Sequence, residues 1–285
     1  MAKLLKGAEV TASLNMAVQS EVEALKEKGI LPTLCIVRVG EREDDIAYER
    51  SAVKRCEAMG VAVKHFVLPG EAAQDELLSV IQGVNRDDGI HGCLLFRPLP
   101  KQLDDNTVRN ALCPEKDVDG VTDASLAGVF AGIDTGFPPC TPRACVEILD
   151  YYGVELKGRK VTVVGRSLVV GKPAAMMLLG RHATVTICHT RTVDMPALCR
   201  QADVLIVAAG RANVVDGSYL SPGQTVIDVG INVDEGGKLC GDVRFADAQA
   251  VVGAITPVPG GVGTVTTSVL VKHVVEAAKR QSKIR

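Results

Sequence analysis

The chain has no tryptophan, and its 285 residues include only four tyrosines and five phenylalanines. Valine, leucine, isoleucine and alanine must therefore fill the core, which suits parallel strands covered by helices on both faces. Net charge is −2 at pH 7, so no basic field points to a nucleic-acid partner. No apolar run reaches the roughly 18 residues of a membrane span. The opening stretch, Met1 to Gly7, holds too few apolar residues for a signal peptide. A cytoplasmic protein is expected. Paired metal-binding or redox spacings are also missing. The nine cysteines (35, 56, 93, 113, 140, 145, 188, 199 and 240) include no C-x-x-C, and the five histidines show no H-x-x-x-H. Buried free thiols in a reducing compartment account for the cysteines better than disulfides do, and no metal site is expected.

Hydrophobic residues make up 47% of the chain and charged residues 23%, a balance that builds one large or two medium globular domains. Apolar periodicity switches repeatedly between helix-like and strand-like. It predicts a helix over 8–28, a strand over 33–39, a helix over 44–59, a strand over 61–67, a helix over 73–84 and a strand over 89–95. This alternation argues for an α/β protein with open sheets. Segment 114–142 interrupts it with glycine and proline. Thr141 before Pro142 then reads as the N-cap of a linking helix. A second β/α series follows, with strands near 161–165, 183–188, 203–208, 225–229 and 254–256. A last helix over about 265–280 comes after it and is expected to fold back onto the first domain. The expected domains are 1–140 plus 265–285, and 141–264.

The most informative stretch is 160–173. The β-branched run Val161-Thr162-Val163-Val164 stops at Gly165, and a helix is expected from Gly171. A parallel strand running through a glycine turn into a helix N-terminus presents backbone amides that hold a pyrophosphate. The pattern Gly165-x-Ser167-x-x-x-Gly171 departs from G-x-G-x-x-G, so its context carries the reading. An NAD site usually places an acid about 20 residues after the turn. Here the second strand ends in Cys188-His189-Thr190-Arg191, with no acid. Arg166 in the turn, with Thr190 and Arg191, suits a 2′-phosphate instead. NADP is favoured over NAD.

Further segments carry a family resemblance. They are Val39-Gly40 with Tyr48, Pro114-Glu-Lys-Asp-Val-Asp-Gly120, Pro139-Cys-Thr-Pro142 and Gly165-Arg-Ser167. Asp228-Val-Gly-Ile-Asn232, Gly241-Asp-Val243 and Thr256-Pro-Val-Pro-Gly-Gly-Val-Gly263 complete the set. In this order, over nearly the whole chain, they resemble the methylenetetrahydrofolate dehydrogenase/methenyltetrahydrofolate cyclohydrolase proteins. The resemblance implies a folate-binding α/β domain facing a Rossmann-type NAD(P) domain across a cleft, and a homodimer. It implies that Gly165, Arg166, Ser167, Thr190 and Ile231 contact the nucleotide. Tyr48 would stack on the folate and Asp119 would hydrogen-bond the pterin edge. The loop from Pro257 to Gly263, with Pro259, Gly260 and Gly261, would line the folate side.

Two departures from the family pattern fall together. Bifunctional members carry Tyr-x-x-x-Lys, four residues apart on one helix face. Here the pair is Tyr48 and Ala52. Lys54 lies two residues further, about 200° round the helix, and is not expected to substitute. The family's Val-Gln-Leu-Pro-Leu-Pro is Leu95-Phe96-Arg97-Pro98-Leu99-Pro100, so the supporting glutamine is Phe96. Glu43-Asp44-Asp45 also replaces the usual Pro-Ala-Ser ahead of the helix. The expected activity is oxidation of methylenetetrahydrofolate with weak or absent cyclohydrolase, a separate cyclohydrolase completing the sequence in the cell. The alternatives are an ordinary bifunctional enzyme and a catalytically silent folate- or nucleotide-binding protein.

Overall fold

The computed structural model describes residues 1–234 and 236–282. The chain opens on β1 (Lys3–Leu4) and α1 (Gly7–Glu27), then alternates through β2 (Thr33–Val39), α2 (Glu43–Ala58), β3 (Ala62–Leu68), α3 (Gln74–Arg86) and β4 (Gly92–Leu95). Two short helices follow, α4 (Asp105–Ala111) and α5 (Asp123–Ala131), and then α6 (Cys140–Tyr151). The second series runs β5 (Lys160–Val164), α7 (Gly171–Gly180), β6 (Thr184–Cys188), α8 (Met195–Arg200), β7 (Val204–Val207) and β8 (Thr225–Asp228). It ends with β9 (Asn232–Val233), β10 (Leu239–Cys240), α9 (Phe245–Val251), β11 (Ala254–Ile255) and α10 (Val262–Gln281).

The chain divides into two compact units. One holds Ser13–Cys140 and the chain from Thr267 onward; the other holds Met1–Ala12 and Thr141–Thr266. The first is built on the parallel sheet β3-β2-β4. β2 is central and almost wholly buried, which is why its middle, Leu34-Cys35-Ile36-Val37, reads as a continuous apolar run rather than an alternating one. Leu77, Ile81 and Val84 of α3 recur at helical spacing and are fully buried. They pack with Cys35, Val37 and Leu95 of the sheet.

The second unit carries a six-stranded parallel sheet in the order β1-β11-β8-β7-β5-β6. The chain leaves β5 for β6 on one side and returns to β7 on the other. The carboxyl ends of β5 and β7 therefore flank a topological switch point, where open α/β sheets bind ligands.

The structure departs from expectation at several points. Residues 1–12 were expected with the first domain, yet they belong to the second unit. Lys3 and Leu4 pair with Ala254 and Ile255, and Leu5 is 1% exposed. A two-residue strand has no periodicity to read, and its partner lies some 250 positions away. Helix α5 occupies part of the segment read as irregular. Thr122 caps it by accepting from Ser125 N–H, and Gly132 ends it at φ 67°. Helix α6 starts at Cys140, so Thr141 sits inside its first turn rather than capping it.

Candidate functional site

In the first unit the site grows from α2. Tyr48 and Ala52 are one turn apart on the same face, and Ala52 is fully buried. The Phe96 ring, just after β4, stands edge-on to the Tyr48 ring, with centroids 5.9 Å apart at 80°. Lys54 is exposed. It lines a separate surface cavity of about 360 Å³ with Arg38, Glu49, Arg50 and His65. There Glu49 accepts from Arg38 Nε at 2.7 Å and meets His65 Nδ1 at 2.8 Å.

Asp119 is delivered by a tightly tied turn. The Lys116 ammonium, 5% exposed, donates to the carbonyls of Val84, Asn85 and Asp87 at 2.8, 3.1 and 2.8 Å. Val84 and Asn85 lie in the last turn of α3, where carbonyls lack an intrahelical donor, and the Asp87 carbonyl also accepts from Ile90 N–H at 2.9 Å. Asp117, fully buried, accepts from Val121 N–H, Thr122 N–H and Ser125 Oγ at 3.0, 2.8 and 2.6 Å. Gly120 turns the chain at φ 65°, and a Cβ there would lie 2.5 Å from Pro139 N. Only glycine fits that approach.

The turn sets Asp119 beside Cys140, the first residue of α6. The Cys140 thiol is within reach of the Asp119 carboxylate and of the Val118 carbonyl at 3.3 Å. His273 Nδ1 also meets that carbonyl, at 2.9 Å. Burial pushes the Asp119 carboxyl up to about 6. The Cys140 thiol and amide pull it down, Asp117 adds to the rise, and the Arg97 guanidinium opposes it. Burial, and then the charge of Asp119, hold the Tyr48 phenol well above its ordinary value. Near neutrality this unit therefore presents a protonated phenol beside a largely ionised carboxylate. The groups whose charges bear on Tyr48 are Asp119 and Cys140.

In the second unit β5 runs into Gly165 at φ 133°. A Cβ on Gly165 would lie 2.3 Å from Ala208 O, and one on Gly171 would lie 2.2 Å from Gly165 O. The turn is thus a bare-backbone cradle opening α7, of the kind that lets a dinucleotide approach closely. Arg166 and Ser167 are exposed in it, and Ser167 Oγ accepts from Val170 N–H at 3.1 Å. Thr190 and Arg191 are exposed in the turn after β6, the strand beside β5. His189 Nδ1 accepts from Arg191 N–H at 3.1 Å. These residues fit a phosphorylated nucleotide.

Ile231, 68% exposed, follows β8. It lines a cavity of about 230 Å³ with Asp228, Pro259, Gly260 and Gly261. Gly260 has φ 100°, and a Cβ on Gly261 would meet Pro257 O at 2.4 Å. The structure thus gathers Tyr48, Phe96 and Asp119 in one unit. The other unit holds Gly165, Arg166, Ser167 and Gly171 at its glycine turn, and Ile231 with Pro259, Gly260 and Gly261 at a cavity.

Sequence reasoning assigned no role to Cys140, Lys116 or Asp242. The Pro139–Pro142, Pro114–Gly120 and Gly241–Val243 motifs contain them in turn. Their contacts come from segments remote in sequence and leave no local mark.

Known proteins match these features. The sequence model of the tetrahydrofolate dehydrogenase/cyclohydrolase catalytic domain matches residues 5–119, and that of the NAD(P)-binding domain of the same family matches residues 139–282. The chain is 51% identical over 280 residues to a protein named bifunctional protein FolD from Clostridioides difficile, covering 98% of each. A crystal structure of the bifunctional enzyme FolD from Campylobacter jejuni superposes with a TM-score of 0.95 at 37% identity, covering 98% of this chain and 99% of that one. The Trypanosoma brucei methylenetetrahydrofolate dehydrogenase-cyclohydrolase, complexed with NADP cofactor and an inhibitor, gives 0.92 at 32% identity and covers 99% of each chain. The glycine cradle of one unit, the Tyr48–Asp119 pair of the other and matches spanning almost every residue agree, and the chain belongs to the tetrahydrofolate dehydrogenase/cyclohydrolase family.

Proposed function

We propose that the protein oxidises 5,10-methylenetetrahydrofolate to the 5,10-methenyl form with NADP, in preference to NAD, and hydrolyses that product weakly or not at all. Tyr48, Asp119 and the Pro259-Gly260-Gly261 loop bind the folate. Gly165, Arg166, Ser167, Gly171, Thr190, Arg191 and Ile231 bind the nucleotide. The folate belongs to the unit containing 13–140, and the working form is a cytoplasmic homodimer.

The observation that carries this reading is the Tyr48 face of α2. Where bifunctional members place a lysine there is a buried alanine, and where they place its glutamine partner there is the Phe96 ring against Tyr48. Hydride transfer from the methylene carbon leaves a resonance-stabilised cation. It needs two rings aligned and no protein acid or base. Bound nicotinamide supplies the hydride acceptor. Tyr48, kept neutral, offers an apolar face and one O–H, while Asp119, mostly ionised at neutral pH, accepts from the pterin N–H groups. Hydrolysis of the methenyl bridge needs water addition and proton transfers, where a positioned ammonium contributes about 10²–10⁴ in rate.

The names of the relatives favour a second reading, a bifunctional enzyme. One experiment separates the two. Purified protein is given methylenetetrahydrofolate with NADP or NAD, and both reduced nucleotide and methenyl absorbance are followed. Accumulating methenyl species supports the proposal. Decay well above the spontaneous rate supports the second reading. No turnover with either nucleotide removes the oxidoreductase reading.

A further inference from the structure

Two buried aspartates in the second unit are more expensive than a loop tether requires. Asp242 is fully buried and Asp228 is 2% exposed. Neither has a basic side chain against it in the hydrogen bonds described; both are held by N–H donors. Asp242 accepts from the backbone amides of three successive residues, Ala209, Gly210 and Arg211, at 2.6, 2.9 and 2.9 Å. Asn232 Nδ2 donates to it as well, at 2.9 Å. Asp228 accepts from Gly230, Asp242 and Val243 N–H, each at 3.0 Å.

The two acids interlock through glycines. A Cβ on Gly230 would lie 2.4 Å from Asp242 Cγ, and one on Gly241 would lie 1.8 Å from Asp228 Oδ2. Each aspartate therefore occupies the space that a side chain on the other's segment would fill.

The placement of this pair gives it a consequence for the nucleotide. Residues 209–211 leave β7, and 229–232 leave β8, both at the carboxyl ends where an open sheet binds its ligand. Asp242 ties the two loops together. A trans peptide points its N–H and C=O in opposite directions. Turning the amides of 209–211 onto Asp242 thus sends the carbonyls of Ala208, Ala209 and Gly210 the other way. Ala208 O lies against Gly165, the turning residue of the cradle, and Ala209 and Gly210 are exposed. Asp228 lines the cavity shared by Ile231 and the Pro257–Gly263 loop.

We propose that Asp242 is a positioning residue for the nucleotide. Anchored by Asp228, it fixes the loop after β7 against the Gly165 cradle and presents that loop's carbonyls to the bound nucleotide. The inference rests on the nucleotide-binding reading above. Asp242→Asn substitutes an amide NH2 for one carboxylate oxygen and sets it against two of the four donors, since Ala209 and Gly210 N–H share one oxygen and Arg211 N–H and Asn232 Nδ2 the other. It is expected to raise the Kd and KM for NADP and NADPH about 10–100-fold, the range set by losing a hydrogen bond to a charged group, while the KM for methylenetetrahydrofolate stays within about twofold. Amide hydrogen exchange at 209–211 is expected to accelerate in the free protein. A purely structural role would lower thermal stability and speed exchange, yet leave the nucleotide Kd of the folded fraction unchanged. If Asp242→Asn does not fold, Asn232→Ala removes one donor, and the nucleotide Kd is expected to rise about three- to tenfold. An unchanged nucleotide Kd in a folded variant overturns the inference alone. Failure of the native protein to bind nucleotide overturns the functional reading, and this one with it.

Discussion

The ring of Phe96 packs edge-on against Tyr48, 5.9 Å between centroids, beside the face where Ala52 is fully buried. An aromatic pair of this kind fixes ring orientation and contributes about 0.5–1.5 kcal/mol beyond its area. The Phe96 ring holds a flat surface in place but offers no proton. If this pair is what replaced a hydrolytic apparatus, putting that apparatus back is the direct test.

Ala52→Lys with Phe96→Gln is expected to accelerate methenyltetrahydrofolate hydrolysis by about 10²–10⁴. A lysine rooted at a buried position has its pKa depressed by desolvation, which favours proton transfer near neutrality. Dehydrogenase turnover is expected to persist. The initial decay of methenyl absorbance in the double variant checks this. A rate no faster than the parent's would show that the loss was assigned to the wrong residues.

Asp119 carries a pH signature. Its folded-state pKa is about 6, raised from the ordinary carboxylate value, so it is ionised above that pH and protonated below. On the proposed reading the pterin edge offers N–H donors to Asp119 and needs the ionised acceptor. Accordingly kcat/KM for methylenetetrahydrofolate is expected to fall as pH drops through about 6, approaching about tenfold per unit. Asp119→Asn should flatten the profile at a low value. An unchanged inflection in that variant would place the titrating group elsewhere.

Arg191, exposed in the turn after β6, is the residue most exposed to test in the choice of nucleotide. Arg191→Ala is expected to raise the KM for NADP about 10–100-fold, the range for a hydrogen bond to a charged group. The KM for NAD should barely move. Steady-state kinetics with both nucleotides decides the point, and equal losses for the two would remove the 2′-phosphate assignment.

Lys116 supports the turn that carries Asp119. Lys116→Met keeps the apolar stem but leaves the Val84 and Asn85 carbonyls at the end of α3 without the ammonium donor and takes one of two donors from the Asp87 carbonyl. The expected loss is about 2–4 kcal/mol in urea unfolding. A variant as stable as the parent would mean that water has taken the ammonium's place.

Much of the candidate site was legible because its signals are local. The run into Gly165 and the restart at Gly171 announce a strand, a turn and a helix within a dozen residues. The departures at Ala52 and Phe96 are visible as single letters in family motifs. Helix α5 carries no such local signal, because its cap, Thr122 Oγ1 accepting from Ser125 N–H, lies in a glycine-rich stretch that reads as loop. Strand β1 has no local signal of its unit, because only its pairing with β11 defines it.

By itself the sequence determined the α/β class and the glycine cradle. These follow from propensity, periodicity and spacing, which act over a few residues. Tertiary structure alone decided that Cys140 would sit beside Asp119 and that Lys116 would cap α3. It alone also brought Asp228 and Asp242 into each other's glycine-shaped space. Those contacts join segments from 14 to 32 positions apart. A buried polar group finds its partner by position in space, and no nearest-neighbour pattern along the chain records it.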